Sequence, residues 1–151
     1  MSAAPVPTEI VRTMWCGPYA LAVVSGLTYD ETYKKVLRKL RSMKSSYKHK
    51  PKIIKGMYHS ELEAVGKTLK CPFEFTGSAR RRARLTLNRT KDHLRPNRIY
   101  IVNVTDHYLV VNTSDWTMCD NWTKAWVPVK GSVHARKKVL SVAEVKRHQV
   151  F

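Results

Sequence analysis

Cys16 stands where an apolar helix begins. Trp15-Cys16-Gly17-Pro18-Tyr19-Ala20 leads into Leu21-Ala22-Val23-Val24-Ser25, and Gly26 supplies the stop. A thiol at a helix N-terminus meets unpaired backbone N–H groups and the positive end of the macrodipole. Both favour the thiolate, which is the nucleophilic form of cysteine. Taken alone, a free cysteine is as readily a small buried hydrophobe. What gives Cys16 weight is a base and an orienting group far downstream: His107, and the neighbouring pair Asp120 and Asn121. A carboxylate or carboxamide beside an imidazole fixes the tautomer and orientation that a general base needs.

The elements between these residues explain how they meet. Ile99-Tyr100-Ile101-Val102-Asn103-Val104-Thr105 is β-branched, aromatic and apolar, and reads as a strand. Asp106-His107 follows, then a second strand, Tyr108-Leu109-Val110-Val111-Asn112. Thr113-Ser114-Asp115 is a polar turn, and Trp116 to Trp122 is the returning strand. An antiparallel hairpin brings the start of one arm beside the end of the next, with opposed Cβ atoms about 5 Å apart. His107 therefore falls beside Asp120 or Asn121. Successive strand residues face opposite sides, so only one of the two faces His107.

Cysteine at a helix start, histidine opening a strand and Asp or Asn closing the next strand, in that chain order, resembles the papain-like cysteine peptidase superfamily. The Cys16-Gly17-Pro18 start with its following alanines is most similar to the bacteriocin-leader-processing branch and to short papain-like proteins encoded by phages. The likeness runs from about Met14 to Trp122, and Asn121-Trp122 resembles the Asn-Ser-Trp of papain. The resemblance implies Cys16 as nucleophile, His107 as general base and acid, and Asp120 as orienter, with Asn121 the alternative. It implies a papain-like α+β fold, N-terminal helices packed on an antiparallel sheet, and no cofactor or metal. The family places a glutamine about six residues before the cysteine as an oxyanion donor. Ile10 stands there in this chain, and the only glutamine is Gln149. Arg12 and Thr13 are the nearby side chains able to donate, beside the backbone N–H of Cys16.

Charge is the other strong signal. Lys and Arg number 28 against 11 Asp and Glu, a formal net charge of +17, with a sequence pI of about 10.1. The cations cluster in three blocks: Lys34 to Lys55; Arg80-Arg81-Arg82-x-Arg84 with Arg89, Lys91, Arg95 and Arg98; and Arg136-Lys137-Lys138 with Lys146-Arg147. Such blocks commonly contact phosphates. Arg80, Arg81, Arg82 and Arg84 are the candidate residues for a nucleic acid or another acidic partner. No helix-turn-helix, zinc-finger or aromatic RNA-binding pattern accompanies them, so any nucleic-acid binding is expected to be non-specific.

The 151 residues, 43% hydrophobic, suit one domain spanning 1–151, with 1–14 an extended, proline-bearing arm. No apolar run is long enough to span a bilayer, and the first residues hold no signal-peptide core. The expectation is a cytoplasmic protein, in the host cytoplasm or the virion if phage-encoded, with no membrane partner. Cys16, Cys71 and Cys119 have neither disulfide nor zinc spacing, and Cys71 and Cys119 read as structural. Elsewhere, Thr28 or Asp30 is a candidate cap for a helix carrying Tyr33, Val36, Leu37 and Leu40. Ser60-Glu61-Leu62-Glu63 reads as a capping box opening a helix to about Leu69. Phe73-Glu74-Phe75 reads as a short strand, Leu85 to Leu94 as a helix stopped before Pro96, and Lys138 to Val142 as a last strand.

Three function classes follow. The first is a cysteine hydrolase cleaving a peptide, isopeptide or related amide bond in a peptide or protein substrate. The second is a catalytically inactive binding module of the same fold. The third is a basic nucleic-acid-associated protein with Cys16 as core.

Overall fold

A helix buried on nearly every side starts the described part of the chain. In the computed structural model, which describes residues 14–43, 56–77 and 85–146, α1 covers Cys16–Ser25 and every residue from Gly17 to Val24 is buried. It ends where expected: Gly26 is left-handed at φ 77° and its N–H bonds the Ala22 carbonyl. The next helix, α2 (Tyr29–Ser42), is capped by Thr28, whose hydroxyl accepts from the Glu31 N–H while the Glu31 carboxylate accepts from the Thr28 N–H. α3 spans His59–Thr68. It starts before Ser60, because the Glu61 carboxylate accepts from the Tyr58 N–H at 2.7 Å. Glu63, the expected partner of Ser60, instead accepts from the Phe75 N–H at 2.7 Å.

The three helices precede a six-stranded sheet: β1 (Thr76–Gly77), β2 (Ile99–Val104), β3 (His107–Asn112), β4 (Thr117–Cys119), β5 (Val127–Pro128) and β6 (Val139–Glu144). Its order is β1-β6-β2-β3-β4-β5, and every pairing is antiparallel. The architecture is α+β, helices first and then the sheet. None of the described helices is long and apolar enough to cross a membrane.

Strand alternation divides the interior into two clusters. Ile99, Ile101, Tyr108, Val110, Cys119 and Ala143 pack with the helices. Tyr100, Val102, Val104, Leu109, Val111, Met118 and Val139 form a second cluster with Leu87 and Val129. Both faces of β2 and β3 are therefore covered, which is why these strands are buried at every position and apolar nearly throughout.

Several expected elements differ. Leu85 to Leu94 is not a helix. Thr86 bridges Lys138, and short 3₁₀ turns occupy Leu87–Arg89 and Lys91–His93. The Leu87 and Asn88 N–H groups donate to the Lys137 and Ala135 carbonyls, so long-range hydrogen bonds displace a helical ladder. Phe73-Glu74-Phe75 is not a strand, since Glu63 takes the Phe75 N–H and pairing begins only at Thr76. The strand expected from Trp116 to Trp122 stops at Cys119. There the Asp120 carboxylate accepts from the Trp122 and Thr123 N–H groups and folds its own backbone into a turn. The last strand starts at Val139, one residue later than expected, and runs on to Glu144. The basic stretch 44–55, the residues Arg12 and Thr13, and the Arg80–Arg84 block lie outside the described residues.

Candidate active site

The β2–β3 hairpin turns through Thr105-Asp106, with Asp106 left-handed at φ 55°, a conformation that aspartate tolerates better than most residues. His107 is the first residue of β3, paired with Val104. Pairing between β3 and β4 begins only at Val110–Cys119, so the strands part at the His107 end. The start of α1 enters that opening. Cys16 and His107 line one cleft, and the His107 ring and the Tyr108 and Gly17 backbone N–H groups act on the Cys16 thiol.

Two hydrogen bonds hold the chain just ahead of Cys16. The Trp15 N–H donates to the Tyr29 hydroxyl at 3.0 Å, and the Asn121 carboxamide donates to the Met14 carbonyl at 2.9 Å. Asn121 thus faces the entry to α1. Asp120, on the other side of the same chain, bonds His107 Nε2 through Oδ2 at 2.8 Å. Of the two candidate orienters, the structure places Asp120 on the imidazole and Asn121 on the backbone leading to the thiol.

The charges follow from these contacts. Burial opposes the Cys16 thiolate. The His107 hydrogen bond, the Tyr108 N–H, the imidazolium charge and the Gly17 N–H outweigh it, and the thiol lies below its ordinary value. Burial likewise opposes a charged His107. The bond to Asp120, then the contact with Cys16, overcome it and carry the ring up to about 9. Burial would raise Asp120, but the His107 and His134 bonds and the Thr123 N–H hold it well below the usual carboxylate range. A thiolate–imidazolium pair over a buried carboxylate is the state these shifts favour.

Sequence alone gives two further neighbours no role. His134 is fully buried, and its Nε2 donates to the same Asp120 Oδ2 at 2.8 Å. Its Nδ1 has no hydrogen-bond partner among the described residues. Trp122 stacks on His107 at 4.6 Å and leans on His134 at 5.0 Å. It covers one face of the His107 ring while most of its own surface stays exposed, with the Lys137 ammonium 5.3 Å from its ring centre. The Asn121-Trp122 pair hints at the tryptophan. His134 sits in a turn-rich stretch with no periodicity to mark it.

Ligand atoms of His107, Asp120 and His134 lie within 4.8 Å of one another. Each imidazole Nε2 is spent as a donor on Oδ2, so the hydrogen-bond network accounts for the grouping. Beside the thiol a cleft of about 820 Å³ opens, lined by Cys16, Met57, Tyr58, His59, Asn103, Asp106, His107 and Tyr108 among others. The Tyr108 hydroxyl fixes one wall by donating to the Met57 carbonyl at 3.1 Å. His59 fixes another, stacked on Phe75 at 4.2 Å. Cys16 is the first residue of α1, so its N–H has no partner within the helix.

Cys71 and Cys119 are buried, whereas Cys16 is partly open to the cleft. Burial pushes the Cys119 thiol up to about 12. No family model, curated protein or solved structure matches the chain.

Proposed function

We propose that the chain is a cysteine hydrolase of the papain-like kind, acting on a peptide, isopeptide or related amide bond. One observation carries this reading. A single imidazole, His107, faces the same cleft as the Cys16 thiol, whose pKa it lowers, and is bonded to a buried carboxylate, Asp120.

The chemistry follows from that arrangement. The Cys16 thiolate attacks the carbonyl carbon of a substrate lying in the cleft, and the carbonyl oxygen takes up the negative charge. The Cys16 N–H is the described backbone donor that supports this oxyanion. The C–N bond breaks as His107 passes its proton to the leaving amine, which leaves a thioester on Cys16. His107, now neutral, takes a proton from water. The resulting hydroxide equivalent attacks the thioester, and the sulfur departs as thiolate beside the reprotonated imidazole. Asp120 keeps Nε2–H in place throughout and supports the positive ring, without itself accepting a proton.

The test is a reaction with p-nitrophenyl acetate, which needs no knowledge of the natural substrate. The expected result is a burst of p-nitrophenolate with an acetyl group on Cys16, absent in Cys16→Ala and strongly slowed in His107→Ala. An adduct spread over lysines, or a Cys16 adduct indifferent to His107, would overturn the reading and leave a binding module.

A further inference from the structure

Residues 85–89 and 135–138, remote in sequence, run side by side. The Leu87 N–H donates to the Lys137 carbonyl at 2.9 Å, the Asn88 N–H to the Ala135 carbonyl at 2.8 Å and the Val139 N–H to the Leu85 carbonyl at 2.9 Å. Between them lies a groove of about 440 Å³ lined by Thr86, Asn88, Arg89, Arg136 and Lys138 together with Leu85 and Ala135. It shares no residue with the Cys16 cleft. Leu87, between Thr86 and Asn88 in sequence, packs in the second interior cluster, whereas Cys16 packs against the first.

Cations from two separate segments converge here, and the lining contains no acidic and no aromatic residue. Arg89 and Arg136 are exposed, and no ion pair joins either to a carboxylate among the described residues. Elsewhere in the same protein, arginines do find one: Arg95 and Arg98 lie 3.4 and 3.8 Å from Glu144. Arg89 and Arg136 thus bring unmatched positive charge to the groove. We propose that it is a phosphate site for the backbone of a nucleic acid.

The ligand class follows from charge and shape. A guanidinium presents a planar fork that matches phosphate oxygens in pairs, and Thr86 and Asn88 add neutral donors of the kind that contact phosphate and sugar. One exposed ion pair is worth little, so a lone anion would be held weakly. A polyanion gains from counterion release at every contact. Nucleic acid carries a far denser row of charges than an acidic peptide. The basic run Arg80-Arg81-Arg82-x-Arg84 directly precedes the groove in sequence. Without an aromatic in the lining there is no platform for base stacking, so binding is tolerant of sequence.

The experiment is a titration of the full chain into a short labelled DNA duplex of mixed sequence, followed by anisotropy at stepped salt. Arg89→Ala with Arg136→Ala is expected to weaken binding and to flatten the slope of log K against log salt by about 1.8, from about 0.9 for each phosphate no longer neutralised. Arg89→Gln with Arg136→Gln repeats the neutralisation, so a folding failure in one pair does not decide the matter. Arg89→Lys with Arg136→Lys should keep most of the slope. Arg95→Ala with Arg98→Ala should change it less, because Glu144 already offsets part of their charge. Alkylation of Cys16 should be the same in every variant. An unchanged slope in both neutralised pairs would overturn the proposal. Displacement of the duplex by polyglutamate at equal charge concentration would also overturn it, pointing to an acidic protein instead.

Discussion

Cys119 closes β4 and directly precedes Asp120; Cys16 opens α1 and reaches the same carboxylate through His107. Burial raises both thiols. For Cys119 it prevails: the Tyr19 hydroxyl gives some relief, the negative charge of Asp120 adds to the rise, and the thiol is pushed up to about 12. For Cys16 an imidazole and two backbone N–H groups reverse the sign. Proximity to a carboxylate therefore suppresses one thiol and, relayed through a ring that becomes positive, activates the other. What separates Cys119 from Asp120 is the end of β4, where the chain turns. Cys119 points into the helix-facing cluster, and Asp120, one residue on, points to His107 and His134.

The largest effect should come from removing the relay. His107→Ala strips the Cys16 sulfur of a hydrogen bond and of a positive charge, leaving burial opposed only by the Tyr108 and Gly17 N–H groups. The thiol should rise toward the behaviour of Cys119, and acyl transfer should fall roughly ten-thousand-fold or more. Burst kinetics and the pH profile of alkylation measure both.

Asp120→Asn comes next. A carboxamide offers no charge to two buried imidazoles, and acyl transfer should drop by about 10² to 10⁴-fold. Stability should fall by about 3 kcal/mol or more, because His107 and His134 lose an anionic acceptor inside the protein. Urea unfolding of the variant, followed by tryptophan fluorescence, reports that loss. His134→Leu removes one donor to Asp120 and leaves His107 and the Trp122 and Thr123 N–H groups in place. It should cost about tenfold in acyl transfer, with His134→Gln, whose amide donates from a similar position, restoring most of it.

Stability depends on pH through His107 and Asp120. The folded-state pKa of His107 lies above its unfolded value, so its contribution is full below about pH 6.5 and is lost as pH rises through about 9. Asp120 is depressed in the fold, so its contribution is full above the ordinary carboxylate value and is lost as pH falls below it. Urea midpoints should peak between these limits, and His107→Ala should flatten the alkaline side and, because the His107 bond also depresses Asp120, weaken the acid side.

The smallest effect belongs to Asn121→Ala. It frees the Met14 carbonyl, at a cost of about 1 kcal/mol. Cys16 keeps its ring and N–H partners, so the burst rate should change only a few-fold. A loss larger than that of Asp120→Asn would reverse the roles given to the two neighbours.

Much of this geometry is legible in the sequence where one local signal fixes one residue. Gly26 marks the end of α1, and Thr28, one of two candidate caps, marks the start of α2; Asp120 and Asn121 take different partners as expected, but from a turn beyond β4 rather than from a strand. Legibility fails where distant groups compete for backbone hydrogen bonds. Leu85 to Leu94 carries a helix-like pattern, yet the Ala135 and Lys137 carbonyls claim its N–H groups. Ser60 and Glu63 have capping-box spacing, yet Glu61 is the residue that reaches back and Glu63 serves Phe75. His134 lies in an irregular stretch and contributes through a contact with Asp120 that only the folded chain creates. The Arg89–Arg136 groove has the same origin. Its two arginines belong to different basic blocks, and the Thr86–Lys138 bridge brings their segments together.

The central claim is that one of three thiols is held as a thiolate by His107. Its most direct test is iodoacetamide alkylation of the native protein across pH, with each cysteine mapped by peptide mass. The account expects Cys16 to react well below the free-cysteine pKa of about 8.5, with the buried Cys71 and Cys119 silent until denaturant is added. It expects His107→Ala to erase the reaction at low pH. Equal labelling of all three cysteines, or a Cys16 that reacts only after unfolding, would contradict it.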